Sequence, residues 1–343
     1  MAISQQALLT LLSDGDWHSG EDLGRDFAVS RAAVWKHVQL LQEAGITVVS
    51  ERGKGYQLPV PIHLLNADLL ATHLSPIALS LLVDLRLEFS VESTNTEAMQ
   101  QLINSPTECN GRVVFAEQQT AGRGRRGRHW VSPLGHNIYC SMSWGFTSGA
   151  SSLSGLSLAV GLVTVMALES LGFNGIQLKW PNDLLWRGRK LGGILLEIVG
   201  DLAGPCQVVV GIGLNVTMSH SDPQKIMHSA SHEQGINQPW VDLHEIDPQH
   251  TDRNRIAAVM LNQLLPMLAD FERDGFSPLR SQWISRDAFL DQSVILQIGD
   301  QQIQGVSKGV ADDGSLCLET LSGLHRFNGG EISLRASTAE GQS

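Results

Sequence analysis

The sequence predicts an α+β fold in three parts: three short helices with a hairpin, a central mixed sheet backed by helices, and a small all-strand unit. Three observations carry this. Helical spacing of apolar residues fills the first part, strand and helix patterns mix in the middle, and short strands separated by Gly-Asp, Asp-Gly and Ser-Gly turns fill the end. A length of 343 residues suits two or three domains. Boundaries are expected at 1–61, 62–276 and 277–337, with 338–343 as a frayed tail.

In the first part, residues 4–13 read as a helix with Leu8, Leu11 and Leu12 on one face. Ser19, three residues before Asp22, caps a second helix that ends near Phe27, and Ser30 caps a third that runs to about Ala44. Val34, Val38 and Leu41 are spaced to face a core, leaving Arg31, Ala32, Trp35, Lys36 and Gln39 outward. An indole as large as that of Trp35 is expected to pack against the hairpin or the backbone. Residues 46–50 and 56–58 read as strands around a turn at 51–55. This order resembles a winged helix-turn-helix, in which the third helix enters the DNA major groove and the wing touches phosphate. Residues 1–61 carry five basic and seven acidic groups, yet residues 31–56 carry four against two. The expected DNA face, made of Ser30, Arg31, Ala32, Lys36, Gln39, Arg52 and Lys54, is therefore basic while the back is acidic. A winged helix used only for protein contacts is the alternative. Pro59 and Pro61 then favour a stiff, extended connection.

Composition narrows the classes. The net charge of −11 argues against nucleic-acid binding over the whole surface, though not by one small module. The four cysteines show no Cys-x-x-Cys and read as buried thiols in a reducing compartment. The start has no basic segment ahead of its apolar residues, and the uncharged run at 156–168 is too short to span a bilayer. A core helix and a cytoplasmic location are expected, with no membrane partner.

In the middle part, strands are expected at 113–116, 137–144, 176–180, 194–199 and 208–216, the second of them half-buried by its alternation. Helices are expected at 153–171 and 255–274, the latter kinked by Pro266. Residues 122–128 hold four arginines and three glycines. Glycine lets backbone N–H groups approach a ligand, and guanidinium forks pair with carboxylate or phosphate. Such a loop repels itself when empty and is expected to be mobile until an anion orders it. Gly122, Gly124 and Gly127 formally match a dinucleotide fingerprint, but no apolar helix follows, so that reading fails. Lys179 alternates away from buried Ile176, Leu178 and Trp180, ahead of a Pro-Asn-Asp turn, and suits contact with a transferring carboxylate or phosphate. The glycines at 192–193, 211 and 213 lie inside strands, where they admit a close neighbour, a bulge or a tight crossing.

Together, Glu-Gln-Gln-Thr-Ala-Gly-Arg-Gly-Arg-Arg-Gly-Arg from Glu117, Lys-Trp-Pro-Asn-Asp from Lys179, Lys-Leu-Gly-Gly-Ile-Leu-Leu-Glu from Lys190, Gly-Ile-Gly-Leu-Asn-Val from Gly211 and the Ser93-Thr94-Asn95 triplet resemble the biotin–protein ligases. With the winged helix in front, the resemblance is to those ligases that also repress the biotin operon. It reaches Gly-Gly-Glu-Ile-Ser-Leu-Arg from Gly329. It implies a class II synthetase-like central domain, an SH3-like C-terminal barrel and two reaction steps: biotin and ATP, with Mg²⁺, give biotinyl-5′-AMP, and a lysine of the biotin carboxyl carrier protein then takes the biotinyl group. It also implies an adenylate-bound homodimer, joined through the central sheet, that places two winged helices on operator DNA.

The same resemblance assigns roles. Ser93, Thr94, Asn95, Gln119, Arg123, Gly124, Arg125, Lys179, Gly211, Ile212 and Gly213 would contact biotin, and Arg126, Arg128, Asn182, Asn215 and Trp240 the nucleotide. Lys179, Arg123 and Arg125 are the catalytic candidates, because two anions must meet and positive charge offsets their repulsion. No residues are assigned to a metal. Trp240 follows a polar stretch at 217–239 that is longer than expected for the family's adenylate-covering loop. Strands at 294–298, 302–306, 316–320 and 324–327 complete the chain. Two other readings remain: a ligand-responsive DNA-binding regulator without catalysis, and a lipoate ligase on a related fold, which the winged helix and the glycine–arginine loop disfavour.

Overall fold

The computed structural model describes residues 3–105, 109–200, 204–221, 238–329 and 332–336. Helices α1 (Gln5–Leu12), α2 (Gly20–Asp26) and α3 (Arg31–Glu43) each begin at a serine whose hydroxyl accepts a first-turn N–H: Ser4 from Ala7, Ser19 from Asp22 and Ser30 from Ala33. Val34, Val38 and Leu41 are buried as their spacing requires. In α1, however, Leu9 joins Leu8 and Leu12 in full burial while Leu11 packs only partly, so the core-facing stripe is rotated by part of a turn from the expected one. Strands β1 (Val49–Glu51) and β2 (Gly55–Gln57) form the wing. Gly55 is required there: its φ is +108°, and a Cβ would fall 2.0 Å from the carbonyl oxygen of His18. Trp35 departs from expectation. It is 56% exposed, because α3 turns its valine face to the core and leaves the indole in solvent instead of against the wing.

After the two-proline connection come α4 (Ala67–His73), α5 (Pro76–Leu81), β3 (Asp84–Glu88), α6 (Thr94–Asn104), β4 (Arg112–Ala116) and β5 (Ile138–Phe146). Next are α7 (Leu156–Ser170), β6 (Ile176–Lys179), β7 (Asp183–Trp186), β8 (Arg189–Gly200) and β9 (Cys206–Leu214). Short α8 (Leu243–Ile246), long α9 (Arg253–Asp274), which contains Pro266, and α10 (Arg280–Ile284) follow. The sheet order is β3-β4-β5-β9-β8-β7-β6. Only β3 and β4 among these described strands pair in parallel. The reading of β5 as half-buried is corrected: Ser141 and Ser143 are wholly buried along with its apolar face. The reason is that α6 covers the serine side while α9 packs on the other. Helix α7 is apolar all round and buried, as a core helix must be. No described helix is long and apolar enough to cross a membrane.

The last part is an SH3-like antiparallel sheet, ordered β13-β12-β11-β10-β14, of β10 (Ser293–Ile298), β11 (Gln301–Val310), β12 (Leu316–Thr320), β13 (Gly323–Phe327) and β14 (Ile332–Ala336). Trp180, buried in the central part, donates its indole N–H to the Gly314 carbonyl at 3.1 Å and ties the two together. The expected tail and most of the 217–239 stretch lie outside the described residues.

Candidate active site and DNA interface

One cavity of about 860 Å³ opens on the central sheet, and the five separated motifs of the central part converge on it. Its base is the start of α6. Ser93 precedes that helix and is buried, but its hydroxyl does not cap the first turn, unlike those of Ser4, Ser19 and Ser30. The Thr94 N–H instead donates to Gln119 Oε1 at 2.9 Å, and the Thr94 hydroxyl donates to the same oxygen at 3.1 Å. Gln119 therefore turns its Nε2 to Ser132 Oγ, 3.2 Å away. Ser141 Oγ stands 2.7 Å from Thr94 Oγ1 and 2.6 Å from Asn95 Oδ1. Asn95 Nδ2 donates to Glu197 Oε2 at 2.6 Å.

The glycine–arginine loop closes one side. It folds back on itself through a Gly124 N–H bond to the Arg128 carbonyl, with a single tight turn at Arg125–Gly127 between them. Arg123 pairs with Glu197 at 3.1 Å and donates to Thr96 Oγ1. Arg125 donates to Asn182 Oδ1 at 3.0 Å, and Asn182 Nδ2 donates to the Ile194 carbonyl. Burial pushes the Arg125 guanidinium below its ordinary pKa, opposed by Asp183 and reinforced by Arg126 and Arg128. Gly124, Arg126 and Arg128 line the cavity with them.

On either side of Asn182, Lys179 ends β6 and Asp183 begins β7. Asp183 takes Lys190 Nζ at 2.7 Å and Lys179 Nζ at 3.9 Å, so two ammonium groups share one carboxylate. Lys190 also lies 5.5 Å from the Trp130 ring. The strand glycines have a more specific cause than an approaching ligand. A Cβ at Gly211 would lie 2.3 Å from Asn95 Oδ1, and one at Gly213 would lie 2.5 Å from the Trp130 ring. They admit the protein's own side chains, and with Ile212 they still line the cavity. Asn215 donates to the Val241 carbonyl at 3.0 Å, and Trp240 sits beside Lys190 through a backbone bridge. All the expected biotin- and nucleotide-contacting residues thus lie on one cavity wall or another.

Sequence reading missed Lys190, Asp183, Glu197, Trp130, Ser132, Ser141, Phe289 and Leu334 as parts of this neighbourhood. Lys190 and Glu197 are the first and last residues of a recognised motif. Alternation along β8 puts Glu197 on the face of Gly193 and Leu195, whereas Lys190 reaches that face only through a register shift near the start of the strand. Phe289 and Leu334 reach the cavity from the last part of the chain; Leu334 belongs to the recognised 329–335 stretch, but nothing in that stretch places it at the cavity.

On the winged helix, Ser30, Arg31, Ala32 and Lys36 stand exposed along α3, and Arg52 and Lys54 stand on the wing. Gln39 is partly buried and donates to Gln42. Lys54 pairs with Glu51 and lies 5.4 Å from the Trp17 ring.

Residues 88–215 match the Biotin/lipoate A/B protein ligase family, 4–57 an HTH domain and 289–335 the Biotin protein ligase C terminal domain. The chain is 41% identical to the Bifunctional ligase/repressor BirA of Salmonella typhimurium over 331 residues, 96% of this chain and 97% of that one. This chain belongs to the biotin–protein ligase family. The Escherichia coli protein of the same name is 40% identical over the same share of each chain. The solved biotin protein ligase of Aquifex aeolicus, in complex with biotin and ATP, superposes with a TM-score of 0.61 at 28% identity, covering 74% of this chain and 99% of that one. This biotin–protein ligase is accordingly an enzyme that also carries a DNA-binding repressor module.

Proposed function

We propose that the cavity binds biotin and ATP, joins them as biotinyl-5′-AMP, and passes the biotinyl group to a lysine of the biotin carboxyl carrier protein. The observation that supports it most is the convergence of residues 93–95, 119–130, 179–183 and 211–215 on one cavity that combines hydrogen-bonding groups with a cluster of cations, Arg123, Arg125, Arg126, Arg128 and Lys179 among them. In the first step a biotin carboxylate oxygen attacks the α-phosphorus and pyrophosphate leaves. Lys179, Arg123 and Arg125 offset the charge that builds up there. Ser93, Thr94, Asn95 and Gln119 hold biotin's polar end, with Gly124 and the 211–213 backbone beside it. Arg126, Arg128, Asn182, Asn215 and Trp240 face the nucleotide. In the second step the carrier lysine's amine attacks the acyl carbon and AMP leaves. Mg²⁺ enters with the triphosphate, as is usual for that ion. Among the described residues no cluster of three His, Cys, Asp or Glu stands ready for a metal, and Asp183 is already engaged by Lys190, so no step is assigned to a protein-held ion.

The proposal extends to a cytoplasmic protein divided at 61/62 and 276/277 that dimerises when adenylate-bound and holds operator DNA with its winged helices. Beyond the end of β7 the described edge of β8 carries exposed Ile198, which supports a sheet-to-sheet contact. Incubation with ATP, labelled biotin and an apo carrier domain tests the ligase reading: label on the carrier lysine is the expected result. Label transferred only in the absence of ATP, or none at all, would refute it.

A further inference from the structure

Glu197 does not line the cavity, yet two of the groups that do are fixed by it. One carboxylate oxygen, Oε2, receives Asn95 Nδ2 at 2.6 Å and Arg123 Nη2 at 3.1 Å. The Glu197 side chain is only 22% exposed, so this contact is not a loose surface pair. Its position follows from register: Glu197 sits in the middle of β8, opposite Val209 of β9 and two residues beyond Leu195, whose carbonyl also faces Asn95 Nδ2.

A carboxylate only accepts hydrogen bonds, whereas an asparagine amide has one donating and one accepting end. With Nδ2 committed to Glu197, Asn95 must turn its Oδ1 the other way, towards Ser141 Oγ and over Gly211 in the cavity wall. Ser141 has one proton and satisfies at most one of that oxygen's two lone pairs. The remaining lone pair is a fixed acceptor for a ligand N–H. The same carboxylate holds Arg123, the first arginine of the glycine–arginine loop, against the sheet.

We infer that Glu197 is a positioning residue for the adenylation site: its carboxylate decides which end of the Asn95 amide meets the ligand and anchors the base of the loop through Arg123. The inference rests on the proposal that Asn95 and Arg123 serve biotin. Biotin's ureido N–H groups are the ligand donors that this acceptor suits. Glu197→Gln separates the two properties from bulk. Glutamine fills the same space, but its amide can face Asn95 with either end and carries no charge for Arg123. The Asn95 amide then has no enforced orientation.

The test uses the full chain. Biotin binding is measured by calorimetry without ATP, KM for ATP by pyrophosphate exchange, and loop exposure by trypsin, which cleaves after the loop arginines. In Glu197→Gln, biotin affinity should fall about tenfold or more, the weight of one well-aligned polar contact. Trypsin cleavage within 123–128 of the ligand-free protein should accelerate, and KM for ATP should rise by a smaller factor than the biotin dissociation constant, because Arg126 and Arg128 lie farther along the loop from the anchor than Arg123. Glu197→Asp keeps the charge with a shorter reach, and should recover part of the biotin affinity. It also carries the comparison if the glutamine variant does not fold. A biotin affinity equal to wild type in both variants, or parallel losses of biotin and ATP affinity with a lowered melting temperature, would overturn the inference. Failure of the wild-type protein to bind biotin would instead remove the reading on which it rests.

Discussion

Lys179 and Arg125 hold their positions by different means, and each should be separable from folding. Lys179 stands at the end of β6 within reach of Asp183, and Arg125 is fixed by Asn182. Removing a preorganised charge from a developing oxyanion costs about 3–4 kcal/mol, so Lys179→Ala and Arg125→Ala should slow adenylate formation by about 10²–10³. Pyrophosphate exchange within tenfold of wild type would contradict their roles. Two other residues govern stability against pH. Burial, then the Arg253 charge and His220, push buried His136 down to about 4, against an ordinary 6.5. Between those values the unfolded chain binds more protons, so the stabilisation is complete above pH 6.5 and is lost as pH falls towards 4, about 3 kcal/mol in all. Asp287 does the reverse. Its Oδ2 is buried without a partner among the described residues, and burial pushes its pKa up to about 6 from an ordinary 3.8. There the native state binds more protons, so the charged carboxylate weakens the fold above pH 6 and the penalty fades below about 4. The two effects oppose each other in overlapping windows. Urea unfolding of Asp287→Asn should show a gain of about 1–3 kcal/mol at pH 8 that shrinks towards pH 4. A loss at pH 8 would show that the carboxylate has a partner.

At the level of elements, the winged helix should be a separable reader of DNA. Arg31 and Lys36 lie on the exposed face of α3, and neither lines the cavity. Arg31→Ala and Lys36→Ala should abolish operator binding in a mobility-shift assay while carrier biotinylation stays near normal, and operator affinity should fall steeply with salt. Equal loss of both activities would show that the modules are not separable. The contrast between elements also shows what sequence can disclose. Leucine spacing gave α1, though not its exact face, and serine caps with valine spacing gave α2 and α3 directly, because these signals act within one or two turns. Long apolar or glycine-marked strands such as β5, β8 and β9 were equally plain. Strands β3 and β7 were not, since they are short and borrow their stability from β4 and β8. The burial of Ser141 was hidden for a similar reason: alternation describes one strand, and only the arrival of α6 closes its polar side. In the site, membership of a motif was legible, but contacts made through the third dimension were not. Glu197 ends the 190–197 motif with no sign that it stands behind Asn95, Leu334 lies in the 329–335 motif with no sign that it reaches the cavity, and Phe289 lies outside every motif.

For the molecule as a whole, the proposed adenylate should act as a switch. Four arginines in seven residues gain most from an anion that pairs with them, and ordering the loop favours whatever contact it makes next. Ligand and DNA binding are then coupled, each tightening the other. Sedimentation over a range of concentrations should show stronger self-association with a non-hydrolysable biotinyl-AMP analogue than without it; an unchanged association constant would exclude the adenylate as the switch. The cavity wall supplied by Phe289 and Leu334 also bears on timing. Ser93 and Leu334 face one space, yet the second is synthesised more than two hundred residues after the first. The winged helix, whose core is drawn almost entirely from residues 3–62 with Leu134 added, has nearly all it needs early in translation. On the ribosome, a chain of this kind gains its DNA-reading surface well before its substrate cavity is walled in, so the reader is finished first and the ligand-driven pairing that would put it to use waits for the last strand.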